Sequence, residues 1–135
     1  MTFRESLYAY LTGIPAIAAA VGTRIFPELA EENATTPYII ARIVERPAQT
    51  LDAKPPYVDV IADLTVFDRS PEAALATALL LGAPDGSGAL ANFPQGVMGG
   101  GVTVLHSVMT EQQPEDSDEY GLFGVRSTFE LTYAP

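Results

Sequence analysis

Between Tyr57 and Phe67 the chain alternates: Val58, Val60, Ala62, Leu64 and Val66 fall on one parity, with Asp59, Asp63 and Thr65 on the other. A period of two with β-branched enrichment is the pattern of a half-buried strand. The run breaks at Asp68-Arg69-Ser70-Pro71. There Ser70 suits an N-cap, Pro71 the first helical position and Glu72 the positive end of a helix dipole. Ala73 to Leu81 then supplies strong helix formers, and Gly82 and Pro84 end the helix. Its stripe of Leu75, Ala78 and Leu79 is expected to face the core, as Phe129 is further on.

Upstream, Phe3, Leu7, Tyr10, Leu11 and Ile14 recur at spacings of three and four, which predicts an amphipathic helix from Thr2 to Leu11 ended near Thr12-Gly13. Pro15 opens a second short helix, Ala16 to Val21, closed by Gly22. Thr23-Arg24-Ile25-Phe26-Pro27 reads as a turn into a short extended piece, and residues 28–36 as an acidic, turn-like segment. Tyr38 to Arg46 is apolar on both parities at its start, which suits a central strand covered on both sides, and alternates from Arg42 onward. Pro47 to Pro56 reads as a loop, because Pro47, Pro55 and Pro56 remove ladder donors. Ala83 to Gly101, rich in Gly and Pro, reads as irregular; Val102 to Met109 reads as a third strand and Glu111 to Glu119 as an acidic loop. The last strand puts Phe123, Val125, Phe129, Leu131 and Tyr133 on one face and Arg126, Thr128, Glu130 and Thr132 on the other, with Ser127 interrupting the apolar side. This order predicts one α+β domain over 1–135, a mostly antiparallel four-stranded sheet with helices packed on one face.

Composition narrows the function classes. A chain of 135 residues buries a real core without staples, and the absence of cysteine excludes disulfides and thiolate metal sites. It also fits synthesis in a reducing cytoplasm. Arg4 and Glu5 come too early for a signal peptide, and the apolar run Ala16 to Val21 is too short to span a bilayer, so no membrane association is expected. Seven basic residues against seventeen acidic ones give a net charge of -10. Such a chain repels the phosphate backbone, which disfavours specific nucleic-acid binding.

The candidate chemistry is thin. His106 is the single histidine, its same-parity neighbours are Val102, Val104 and Val108, and one imidazole without cysteine makes a poor zinc site. Gly86-Ser87-Gly88 lacks the flanking pattern of a nucleophile elbow and follows a helix rather than a strand. Asp59 and Asp63 share a strand face at about 13 Å, too far apart for paired glycosidase carboxylates. Asp116-Ser117-Asp118-Glu119-Tyr120-Gly121 imitates the opening of a calcium loop, but Tyr120 stands at position five and Ser127 where a bidentate glutamate is needed. No catalytic, cofactor-binding or metal-binding residue is predicted, and the expectation is a protein without enzymatic activity.

The order of short motifs is more informative. Val21-Gly22-Thr23-Arg24-Ile25-Phe26-Pro27 is followed by Pro37-Tyr38-Ile39-Ile40 and Pro47-Ala48-Gln49-Thr50-Leu51-Asp52. A strand then runs into Ser70-Pro71-Glu72-Ala73-Ala74-Leu75, and Tyr120-Gly121-Leu122-Phe123-Gly124-Val125-Arg126 enters a terminal strand ending in Tyr133. In this order the chain resembles the tail-completion, or tail-terminator, family of long-tailed bacteriophages and gene transfer agents, over almost its whole length. The longer Gly- and Pro-rich segment Ala83 to Gly101 departs from that pattern.

The resemblance implies a structural virion protein, made in the host cytoplasm and located at the head-proximal end of the tail. There it would form a homo-oligomeric ring, usually a hexamer, that caps the tail tube protein and joins it to the head-completion protein, while DNA passes through without specific binding. The alternatives are another head-tail connector, a minor tail component or a small ligand-binding domain. A cyclic ring uses two different patches per subunit, and long loops on a rigid sheet can reach neighbours. Candidate contact residues are therefore Ala48, Gln49, Thr50, Leu51, Asp52, Ala53 and Lys54 in one loop, and Gln112, Gln113, Glu115, Asp116 and Asp118 in the other.

Overall fold

The computed structural model describes residues 2–27, 35–47, 57–91, 96–99 (backbone only), 102–115 and 121–134. In chain order these form helix α1 (Phe3–Thr12), helix α2 (Pro15–Val21), strand β1 (Ile25–Phe26), strand β2 (Tyr38–Pro47) and strand β3 (Val58–Asp68). Helix α3 (Pro71–Leu81), strand β4 (Gly96–Gly99), strand β5 (Val102–Pro114) and strand β6 (Phe123–Ala134) follow. The helix starts obey local chemistry. Thr2 Oγ1 accepts from the Glu5 N–H at 3.2 Å, and Ser70 Oγ accepts from the Ala73 N–H at 3.1 Å with Pro71 opening α3.

The strands make one sheet in the order β1-β2-β3-β6-β5-β4. β2 and β3 form an antiparallel pair, β5 and β6 a second, and β3 and β6 join the pairs antiparallel at the centre. The expected α+β layering holds, but the sheet has six strands rather than four. β1 adds parallel to β2 and makes the sheet mixed, and β4 forms inside the segment expected to be irregular. Both added strands are too short to show a period of two in sequence.

One parity of the long strands meets the helices. Val58, Val60, Ala62, Leu64 and Val66 of β3 and Val125, Phe129, Leu131 and Tyr133 of β6 share a single buried cluster with Phe3, Leu7 and Leu11 of α1, Ile17 and Val21 of α2, and Ala74, Ala78 and Leu81 of α3. The helices thus lie on one face, and among the described residues the opposite, outer face carries no helix.

Three expectations about this core need correction. Leu75 and Leu79 point outward, 44% and 37% exposed, while Ala74, Thr77, Ala78 and Leu81 are the buried residues of α3. Leucine or alanine occupies most of α3, so periodicity could not select a face. The small residues win because they let the helix approach the sheet above Phe129. β5 runs on to Pro114, so Glu111 to Pro114 is strand rather than loop. β5 also carries two register shifts, between Val104 and His106 and between Met109 and Glu111. Each inserts one residue and reverses the parity that follows. Val104, Ser107, Met109 and Gln112 therefore face inward, and His106 lies on the exposed outer side opposite Thr132, away from Val102 and Val104.

Ser127, wholly buried on the apolar side of β6, is satisfied across the sheet. The Gln112 amide nitrogen donates to Ser127 Oγ at 3.0 Å and to the Gly82 carbonyl at 2.9 Å. The same corner requires a glycine at Gly88, where φ is +108° and a Cβ would lie 2.6 Å from the Gly82 Cα. In urea denaturation, Phe129→Ala is expected to lose about 3–5 kcal/mol of stability, whereas Leu79→Ala loses about 1 kcal/mol or less. Equal losses would mean that α3 packs through its leucines after all.

Candidate functional site

The predicted contact residues divide. Ala48 to Lys54, Asp116 and Asp118 lie outside the described residues, so only Gln112, Gln113 and Glu115 can be placed. All three stand at the end of β5, but they face different ways. Gln112 points inward and ties the strand to Ser127 and Gly82. Gln113 lies on the outer face between Glu111 and Arg126; with its amide turned to satisfy both neighbours, its nitrogen donates to the Glu111 carboxylate at 3.0 Å and its carbonyl faces the Arg126 guanidinium. Glu115 sits 3.6 Å from Arg126, accepts from Thr65 Oγ1 at 3.2 Å, and donates its N–H to the Gly124 carbonyl at 2.8 Å. A Cβ at residue 124 would collide with the Glu115 carbonyl, so Gly124 permits this close pairing of strand ends.

Beside these residues runs a groove of about 420 Å³ lined by Pro71, Leu75, Gln112, Gln113, Pro114, Phe123, Gly124 and Val125. Leu75 is 44% and Phe123 37% exposed. Among the described residues that line it none is ionisable, so they offer shape and apolar surface rather than an acid, base or nucleophile. Sequence patterning missed it, because the groove exists only where the first turn of α3 comes beside the ends of β5 and β6. A helix with more apolar residues than one buried face can take was the available signal.

The outer face of the sheet is organised by cross-strand polar pairs. Thr128 donates to Asp63 at 2.6 Å and Thr132 to Asp59 at 2.8 Å, both between β6 and β3. These aspartates are thereby bound as hydrogen-bond acceptors along the sheet. Among the described residues, no group of three or more His, Asp or Glu side chains could hold a metal ion, and no helix is long and apolar enough to cross a membrane.

At the upper end of β2, Tyr133 fixes the strand from within. Its ring stacks on Phe3 with centroids 4.8 Å apart, and its hydroxyl donates to the Glu45 carboxylate at 2.6 Å. Burial, reinforced by that carboxylate, pushes the hydroxyl pKa above the ordinary tyrosine range. A folded pKa raised above the unfolded value contributes stability that is fully present below about pH 10 and lost as pH rises further. Melting measured from pH 9 to 12 should therefore show the native protein losing more stability than Tyr133→Phe. Parallel curves would remove this hydrogen bond from the account.

No protein-family model and no curated protein matches the chain. Its fold does match a solved structure. A chain from the virion of a native gene transfer agent particle superposes with a TM-score of 0.71 over 98% of this chain and 95% of that chain, at 14% sequence identity. At that identity the likeness is one of fold, extending end to end over both chains.

Proposed function

We propose that this chain is a structural virion protein, a tail-terminator subunit. Its copies form a ring, hexameric in this reading, that caps the head-proximal end of the tail tube and joins it to the head-completion protein. The observation that carries the reading is the end-to-end fold likeness to a chain of a gene transfer agent virion, at nearly equal length. The order of motifs along the sequence points the same way.

Two features of the molecule support the reading. The groove and the outward leucines of α3 supply apolar surface of the kind that partners cover, and the described lining residues carry no ionisable group. A net charge of -10 suits a ring through which DNA passes, because few cations are available to condense on phosphate. The mechanism is docking geometry between rigid subunits, with no catalytic step assigned.

Electron microscopy of intact particles carrying a tagged copy of this chain tests the proposal. The expected density is a ring at the junction of capsid and tail tube. Density confined to the capsid portal or to the distal tail would replace this role with that of another connector or a minor tail component. A turnover traced to the purified chain would overturn the structural reading altogether.

A further inference from the structure

Among the described residues, both long edges of the sheet lack an outer strand over most of their length. β1 pairs with β2 only at Ile39 and Ile40, and β4 pairs with β5 only from Val102 to Val104. Residues 41–47 on one edge and 106–114 on the other therefore have no outer strand beside them among the described residues. An edge strand with unpaired backbone groups is a template for another strand.

The two edges carry opposite charge on the same face. Arg42 and Arg46 stand on the outer face of β2, opposite Asp63 and Asp59 of β3. Both are exposed, and the ion pair recorded among the described residues, between Arg126 and Glu115, involves neither. On β5, Glu111 and Gln113 stand on the outer face opposite Thr128 and Arg126, and Glu115 continues the ladder through its bond to Gly124. The second bulge falls before Glu111, so pairing with β6 is regular from Glu111 to Pro114, and Pro114 brings no N–H to a ladder on the outer edge.

The spacing matches. Two arginines four residues apart face two glutamates four residues apart, with Val44 and Gln113 at the midpoints. Within one sheet β2 and β5 run in opposite directions, so extending the sheet from one copy to the next in the same sense brings these edges together antiparallel. With Val44 opposite Gln113, Arg42 lies opposite Glu115 and Arg46 opposite Glu111. Neither β1 nor β4 flanks any of these ten residues.

We infer that β2 of one copy pairs with β5 of the next through Arg42 to Arg46 against Glu111 to Glu115, and that this is the contact between copies in the proposed ring. The inference builds on that ring and names its repeating interface. The charges also select against the twofold alternative. Two β2 edges paired antiparallel about Val44 would set Arg42 opposite Arg46 twice, and like charges directly opposite are destabilising. A contact between two different edges is heterologous, and it closes into a ring when the rotation between copies divides a full turn. Val44, 53% exposed on the free subunit, is covered in such a pair.

The chain contains no cysteine, so introduced ones report without background. Purified Val44→Cys/Gln113→Cys protein, first checked for native circular dichroism, is oxidised and run on a non-reducing gel. A ladder of multimers is expected from the double variant, and monomer alone from each single variant. Dimers from Val44→Cys alone, or no multimers from the double variant, overturn the inference. Light scattering at low salt supplies a second measurement. Arg46→Glu and Glu111→Arg should each weaken self-association about tenfold or more, and combining them should restore it. Failure of the combination to restore association overturns the pairing. A particle image placing the chain away from the tail end defeats the proposed function and leaves this contact standing, whereas a missing ladder defeats the contact alone.

Discussion

Among the described residues the helices cover one side of the sheet, and the packing on that side governs the other features of the molecule. The apolar parity of β3 and β6 is consumed by α1, α2 and α3, around a wholly enclosed Phe129. Burial of this kind is the main favourable term in folding, and here it fastens every long strand to one layer. The other face must then satisfy its polar groups along the sheet itself. The Thr128–Asp63 and Thr132–Asp59 hydrogen bonds do so across the central strand pair, and an aromatic corner of Phe26, Tyr38 and Phe67 closes one end, with ring centroids 5.9 and 5.6 Å apart.

β5 shows how such a sheet accommodates residues that look misplaced. Its two bulges turn the strand's pattern over twice, so that Gln112 enters the core and meets Ser127, while His106, Glu111 and Gln113 are turned out. A buried hydroxyl would be costly alone, but with its amide partner it is satisfied and pins the end of α3 through Gly82. The same bulges leave the last stretch of β5 regular, with its glutamates on the face that also holds the arginines of β2.

What remains uncovered is consistent in kind. Leu75, Leu79 and Phe123 on the helix side of the molecule, and Val44 on the sheet edge, are apolar groups that the chain itself does not bury. Among the described residues, none is accompanied by a group of His, Asp or Glu side chains that could hold a metal ion. Exposed apolar groups of this kind are what the proposed ring would cover, and the fold is one shared with a chain of a gene transfer agent virion.

Elements whose signals are local could be read from the chain before any fold was known. The alternation of β3 and β6, the Ser70-Pro71 start of α3, the turn glycines and the one-sided helix layer follow from periodicity and capping, which act over a few residues. The motif order and acidic charge were legible too, and they supplied the functional expectation. Only the tertiary structure decided which face of α3 is buried, because a helix of alanine and leucine satisfies either choice until the sheet demands the smaller side. It also decided the parity of β5, since a bulge is specified by pairing with β6 rather than by the strand's own residues. The short outer strands β1 and β4 likewise exist only because a longer neighbour offers them a ladder. The charge match between the two sheet edges became visible last, because residues 42 to 46 and 111 to 115 acquire a common face and opposite directions only once the strands are laid side by side.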